Sequence, residues 1–143
     1  MNKNIQFFSH GCKFLVRDRI RIRKWIETVV HEEGCITGEI NFILTNDENL
    51  LKFNLKYLNT NTYTDIITFS LSEEELIISG DVYISIERVN ENAEKYKVGF
   101  ENELRRVLIH GVLHLMGYDD TSSNEKRRMT RLENKYLSKY ADC

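Results

Sequence analysis

The chain has 143 residues, of which 41% are hydrophobic and 29% charged, and its formal net charge is −2. This length suits a single domain over residues 1–143, and the composition excludes disordered and fibrous proteins. Neither an uncharged apolar run of about 18 residues nor a signal peptide is recognisable, so we expect a cytoplasmic protein without a membrane partner. Three widely spaced cysteines with no CxxC pair argue against a disulfide framework.

The spacing of apolar residues predicts strands and helices along the whole chain. Alternating or continuous apolar runs indicate strands, and apolar residues at i, i+3, i+4 and i+7 indicate helices. The predictions are a strand at 5–8, a helix from its N-cap Asp18 to near Gly34, a strand at 39–45, a helix at about 47–58, strands at 65–71 and 77–86, and helices at about 86–97, from Phe100, and at about 123–140. We expect an α+β fold in which a small mixed β-sheet of about four strands packs with about five helices.

Two of these helices begin with the spacing of a capping box. Residues 45–47 offer caps for one helix, with Thr45 and Glu48 at capping-box spacing, and Ser122 and Glu125 have the same spacing before another helix. The helix from Phe100 is apolar nearly all round, which predicts that it is buried.

Basic residues are concentrated in two segments despite the acidic total. One segment contains Arg17, Arg19, Arg21 and Arg23, and the other lies within residues 126–135. Charge runs of this kind are most often solvated helix faces. A local basic surface can nevertheless attract a polyanion.

The segment from His110 to Asp120 has the pattern of a metal site. His110 and His114 are one helical turn apart, so their imidazoles can share one ion. Gly117 can take a positive φ and end the helix, which brings the chain back towards that ion. Asp120 is then the expected third ligand, with Asp119 as the alternative, and a fourth position stays open. The competing interpretation, histidines that are hydrogen-bonded on a helix face, is disfavoured by the apolar surroundings and by the glycine and carboxylates.

The same spacing occurs in zinc peptidases, apart from one position. Gly111 stands where a peptidase has the glutamate that activates water. Peptide hydrolysis is therefore disfavoured. The glycine is expected to leave space beside the metal for a bulkier or more anionic substrate.

The segment HGVLHLMGYDD resembles the motif HGxLHLxGYDH of the YbeY family of bacterial endoribonucleases and rRNA maturation factors. Residues 64–70 are similar to the family's PT(D/N)VLSFP strand, and residues 80–82 to the start of its LGDI strand. The resemblance implies a zincin-like fold and one bound zinc ion. It also implies metal-dependent cleavage of single-stranded RNA in 16S rRNA 3′-end maturation and ribosome quality control, with rRNA and the small ribosomal subunit as partners.

The resemblance also implies roles for particular residues. His110 and His114 match two metal ligands, and His114 is a candidate catalytic residue. Asp120 stands in the place of the family's last histidine. Because a carboxylate is a harder donor than an imidazole, other divalent ions such as manganese become possible beside zinc.

A second departure from the family pattern is Leu58, which stands where the family has an arginine before its PT(D/N)VLSFP strand. Phosphate neutralisation is then expected from Arg105, Arg106 or the basic segment at 17–24. Two alternatives stay open. The chain can be a ribosome-assembly or RNA-binding factor with a structural metal and little catalysis, or a metallopeptidase in which another group replaces the missing glutamate.

Overall fold

The computed structural model describes residues 4–58 and 66–143. Within these ranges the chain forms four strands and five α-helices, which confirms the predicted α+β class. The elements are β1 (Ile5–Ser9), α1 (Arg19–Glu32), β2 (Ile36–Thr45), α2 (Asp47–Phe53), β3 (Ile66–Ser70), β4 (Ile77–Ser85), α3 (Ile86–Tyr96), α4 (Phe100–Leu115) and α5 (Ser123–Lys139). A π-helical stretch, Asn54–Leu58, continues α2, and a 3-10 turn, Tyr140–Asp142, follows α5.

The strands form one mixed sheet in the order β1-β2-β4-β3. β1 runs parallel to β2, and β2 runs parallel to β4. β3 is antiparallel to β4, with Ile66 opposite Ile84 and Ser70 opposite Gly80. Residues 59–65, which include the start of the predicted third strand, lie outside the described residues.

One face of the sheet carries the hydrophobic core. Phe42 of β2 and Val82 of β4 are neighbours in the register, and both are fully buried in the same cluster as helices α1 and α4. The indole N–H of Trp25 in α1 donates to the carbonyl of Tyr136 in α5 (2.7 Å), which ties the last helix to the first. α4 is buried along most of its length, as predicted, so the side chains it presents are held by a packed core. Among the described helices, α4 included, none has the length and apolar character to cross a membrane.

Two helix starts differ from the prediction. The side chain of Asn46, within the predicted cap stretch 45–47, caps α2 by accepting from the backbone N–H of Asn49 (2.8 Å), and the predicted box of Thr45 and Glu48 does not form. The physical reason is that Thr45 still belongs to β2, and its hydroxyl accepts from the side-chain amide of Asn49 instead (3.2 Å). Asp18 precedes α1 as predicted, but it adopts a left-handed conformation (φ 58°) and its side chain makes no capping hydrogen bond.

The capping box predicted for α5 is confirmed. Ser122 accepts from the backbone N–H of Glu125 (3.1 Å), and the Glu125 carboxylate accepts from the backbone N–H of Ser122 (2.9 Å). These two bonds fix where α5 begins, three residues after Asp120.

Candidate metal centre

Three side chains from the end of α4 and the turn after it converge on one point. Nε2 of His110 lies 3.0 Å from Nε2 of His114, and Oδ2 of Asp120 lies 3.3 and 3.5 Å from these two nitrogens. All three residues are partly buried. Asp119 is exposed and does not belong to this cluster. The geometry therefore favours Asp120 over Asp119 as the third donor.

The turn that delivers Asp120 is fixed by backbone hydrogen bonds. Gly117 has a φ of 103°, which glycine adopts without the strain that a Cβ would add. Its N–H donates to the carbonyl of His114 (3.0 Å), and the N–H of Tyr118 donates to the carbonyl of Leu113 (3.1 Å). This is the Schellman arrangement, and it confirms that the glycine ends the helix as predicted.

The spacing of the three donor atoms fits a divalent ion. Zinc binds imidazole and carboxylate at about 2.0–2.1 Å, so a tetrahedral site separates its donors by about 3.3 Å. The separations of 3.0, 3.3 and 3.5 Å bracket that value. Three protein donors leave a fourth position open, which is typical of catalytic rather than structural zinc sites.

Glu133, in the middle of α5, holds one of these histidines from the opposite side of its ring. Oε2 of Glu133 lies 2.6 Å from Nδ1 of His110, and Oε1 accepts from Nη1 of Arg106 (2.9 Å). Glu133 is 6% exposed, so these partners stabilise a charge that has lost most of its water. Because a carboxylate can only accept, Nδ1 of His110 carries the hydrogen, and Nε2 presents its lone pair to the cluster.

A second anchor holds the turn between α4 and α5. The hydroxyl of Tyr118 donates to the carboxylate of Glu33 at the end of α1 (2.6 Å), and the hydroxyl of Tyr136 donates to the same carboxylate. The hydrogen bond to Glu33, helped by burial, raises the pKa of Tyr118. Burial, helped by the same carboxylate, raises the pKa of Tyr136. Both phenols therefore remain hydrogen-bond donors at neutral pH, and Tyr118 fixes the turn two residues before Asp120.

Gly111 faces the sheet and not the cluster. A Cβ at this position would lie 2.7 Å from Cγ1 of Val82 and 2.9 Å from Cδ1 of Ile66. The expectation that this glycine leaves space for a substrate is therefore wrong, because side chains of β3 and β4 fill that space. The glycine instead allows α4 to pack closely on the sheet, where an interior at normal packing density has no room for a glutamate.

Arg105, a predicted phosphate contact, packs against the C-terminal turn. Its guanidinium lies over the ring of Tyr140, 4.3 Å from the ring centroid. Arg21 of the basic segment lies over the same ring at 4.1 Å and donates to the carbonyl groups of Tyr140 (3.0 Å) and Cys143 (3.1 Å). Both arginines thus stabilise the packing of the C-terminal turn.

The other predicted phosphate-binding residues divide into two groups. Arg17 and Arg19 are exposed, whereas Arg23 donates through Nε to the carbonyl of Ile5 (2.8 Å). The groove that the basic segment lines has no residue in common with the pocket beside the histidines. The side chain of Leu58 lies outside the described part of the chain.

Glu133 and Glu33 were not predicted from the sequence. A usable signal existed for Glu133, since it lies four residues after Met129 and three before Tyr136, on the buried stripe of α5. A carboxylate on a buried stripe needs a partner of opposite charge or a donor. Glu33 offered no comparable signal, because it follows the last residue of α1 and reaches Tyr118 only through the tertiary fold.

Comparison with protein-family models matches residues 12–141 to the family described as Endoribonuclease YbeY. Relatives with this name from Amoebophilus asiaticus and Flavobacterium psychrophilum are 44% and 46% identical over 134 and 132 residues. These alignments cover 94% and 91% of this chain, and 91% and 92% of the relatives. A relative of the same name from Bacteroides thetaiotaomicron is 41% identical, over 94% of this chain and 97% of its own length.

The fold is also similar to the solution structure of a protein from Thermotoga maritima. The two superpose with a TM-score of 0.65 and 28% sequence identity. The match covers 95% of this chain and 88% of the other. The similarity therefore extends over nearly the whole length and includes the helix and turn that carry the three donors.

Proposed function

Because this chain belongs to the YbeY family of endoribonucleases, we propose that it cleaves single-stranded RNA in 16S rRNA 3′-end maturation and ribosome quality control, using a metal ion. His110, His114 and Asp120 are the proposed ligands. The observation that carries this proposal is the convergence of their three donor atoms, at separations of 3.0 to 3.5 Å. Zinc is the proposed ion, and the same donor set also suits other divalent ions.

The side chains around the cluster have distinct roles in this proposal. A divalent ion held by His110, His114 and Asp120 would supply charge stabilisation at a phosphate oxygen and would activate the attacking group, whether water or the 2′-OH. Glu133 keeps His110 in the tautomer that directs Nε2 towards the cluster. Tyr118 holds the turn that carries Asp120. His114 completes the site, and Arg105 stays a predicted phosphate contact.

The proposed partners are rRNA and the small ribosomal subunit. Arg17 and Arg19, which are exposed near the beginning of α1, are the proposed phosphate contacts of the basic segment. Arg21 and Arg23 are tied to backbone carbonyls and are expected to contribute less to RNA binding. The single domain over residues 1–143 and the cytoplasmic location remain predictions from the sequence.

The second candidate is an RNA-binding assembly factor whose metal is structural. Two replacements favour it: Asp120 for the family's last histidine and Leu58 for the family's arginine. Both candidates predict a bound metal, so metal content alone does not separate them. RNA cleavage separates them, because the assembly factor would bind RNA without cutting it.

The test combines metal content with RNA cleavage on the same preparations. Protein purified without chelator is expected to contain metal and to cut single-stranded RNA, and activity lost to a chelator is expected to return with added metal. His114→Ala and Asp120→Ala should lose both properties, while the matched control His10→Ala, at an exposed histidine, should keep them. Full metal retention by His114→Ala would refute the site. Metal-loaded protein that binds RNA without cutting it would favour the assembly factor.

A further inference from the structure

A slot lies beside the cluster of His110, His114 and Asp120, on the side of α4 that faces away from the sheet. It has a volume of about 330 Å³ and lies over α4, between α3 and α5. His110 and Asp120 line one end of it, so a molecule in the slot lies against two of the proposed metal ligands. The volume is at the lower end of the roughly 300–1,000 Å³ usual for ligand sites, which suits one small planar group.

The walls of the slot offer one aromatic ring and several polar groups. Tyr96, at the end of α3, lines the slot and is 59% exposed. Asn92 stands one helical turn before it, and Lys126 and Thr130 stand one turn apart on α5. Within the described part of the chain, no other protein group forms a hydrogen bond or an ion pair with the side chain of Asn92, Lys126 or Thr130.

The floor of the slot is apolar. Val107 of α4 is 4% exposed and Met129 of α5 is 2% exposed, and both line the slot. An apolar floor with polar groups at the walls is the usual composition of a site for a heterocyclic ring. It is a poor composition for a phosphate, which needs donors on all sides.

The charges of the slot also favour a base over a phosphate. Two buried carboxylates, Glu103 and Glu133, line it, and Arg106 pairs with Glu133. The deep part therefore offers no unbalanced cation to a phosphate, whereas Lys126 is exposed at the wall. A nucleotide would thus place its base in the slot and leave its phosphate near Lys126 and the metal.

We propose that this slot binds a base of single-stranded RNA next to the phosphate that is cut, with the base stacked on Tyr96. This inference rests on the proposed function and names its substrate contact. Single-stranded RNA is commonly recognised by unstacked bases that lie on aromatic rings while side chains bond their edges. Asn92 and Thr130 contact the edge of the base, and Lys126 contacts a neighbouring phosphate.

The test measures RNA binding separately from cleavage. The probe is a fluorescein-labelled single-stranded hexanucleotide with 2′-O-methyl groups throughout, read by anisotropy with metal-loaded protein, and its integrity is checked by electrophoresis. Tyr96→Ala should raise Kd roughly five- to hundred-fold, the usual range for loss of one stacked base. Tyr96→Phe keeps the ring and should keep most of the affinity. The matched control Phe8→Ala removes another exposed aromatic ring, 48% exposed on β1, and should leave Kd unchanged.

Further measurements test whether the Tyr96 substitution acts on RNA binding alone. Metal content and thermal stability of Tyr96→Ala should equal those of the wild type, since Tyr96 is 59% exposed and is not one of the proposed ligands. In cleavage of unmodified RNA, KM should rise more than kcat falls. An Asn92→Leu variant should reduce the differences in Kd among A, C, G and U homohexamers.

The outcomes separate this proposal from the proposed function. Wild-type affinity and wild-type KM in Tyr96→Ala would overturn the base slot while leaving the endoribonuclease intact. Equal loss of affinity in Tyr96→Ala and Phe8→Ala would also overturn it. A wild-type protein that cuts no RNA would refute the proposed function, and the anisotropy series would still decide whether the slot binds a base.

Discussion

The hydrogen bond between Glu133 and His110 leads to a prediction about metal affinity. In Glu133→Gln the amide has one accepting and one donating end, whereas the carboxylate accepts from His110 at 2.6 Å and from Arg106 at 2.9 Å. If the amide oxygen faces His110, its NH₂ group meets the guanidinium of Arg106. If the NH₂ group faces His110, Nδ1 must accept, so the hydrogen moves to Nε2 and the metal-binding lone pair is lost. Either orientation weakens the site.

The expected loss is about 10- to 100-fold in metal affinity, or roughly 1.4–2.8 kcal/mol, as for other groups that orient a ligating histidine. Competition with a chromophoric zinc chelator measures it directly. The matched control is Asn134→Ala, which removes the other acceptor of Arg106 (2.8 Å) without touching His110. Thermal unfolding of metal-free protein checks that the fold persists. Wild-type zinc affinity in Glu133→Gln, or an equal loss in Asn134→Ala, would refute the reasoning.

Three further predictions concern the packing of α4 on the sheet, the basic segment at the beginning of α1 and the buried Tyr136. Gly111→Glu should not create a peptidase but should lower the unfolding free energy by more than about 3 kcal/mol, because a charged side chain is forced against the sheet. Urea unfolding measures the stability, and a peptide-turnover assay measures the activity. A variant that is as stable as the wild type and hydrolyses peptides would contradict this prediction. A double Arg17→Ala, Arg19→Ala variant should reduce the slope of log affinity for single-stranded RNA against log salt by about 1.4, at unchanged stability. An unchanged slope would exclude both residues as phosphate contacts. The pKa of Tyr136 is raised in the folded protein. As pH rises, the Tyr136 hydroxyl therefore ionises first in the unfolded chain, which stabilises the unfolded state. The unfolding free energy should then fall as pH rises above about 10. Urea unfolding at pH 8 and pH 11 should show a shallower fall in Tyr136→Phe, and an equal fall in both proteins would contradict the assignment.

The sequence was sufficient to predict that His110, His114 and Asp120 come together as candidate metal ligands, because the information is local. His110 and His114 are placed by helical periodicity alone, and Gly117 ends the helix through its own backbone freedom. The turn to Asp120 spans three residues, so the range of possible positions for its carboxylate is narrow. The order of strands and helices was predictable for the same reason, since each element carries its own apolar period.

The groups that support the ligands were not predictable in this way. Glu133 reaches His110 only because α5 packs back along α4, and that packing is a property of the whole core. The role of Gly111 was misjudged because a helix sequence does not reveal which face meets the sheet when nearly all faces are apolar. Which of the candidate caps at 45–47 would cap α2 was not predictable, because the extent of β2 left Asn46 and not Thr45 free to do so.

Asp120 belongs both to the group of three candidate metal ligands and to the lining of the slot beside them. A site of three neutral histidines leaves the full charge of a divalent ion facing the substrate, whereas Asp120 cancels one unit of it. Glu133 adds no further imbalance, because Arg106 neutralises it at 2.9 Å. The charge that a divalent ion bound there would offer to a phosphate is therefore halved, and the remaining attraction would have to come from side chains. Lys126 lines the same slot as Asp120 and His110, so we expect it to supply that attraction, with Tyr96 fixing the neighbouring base.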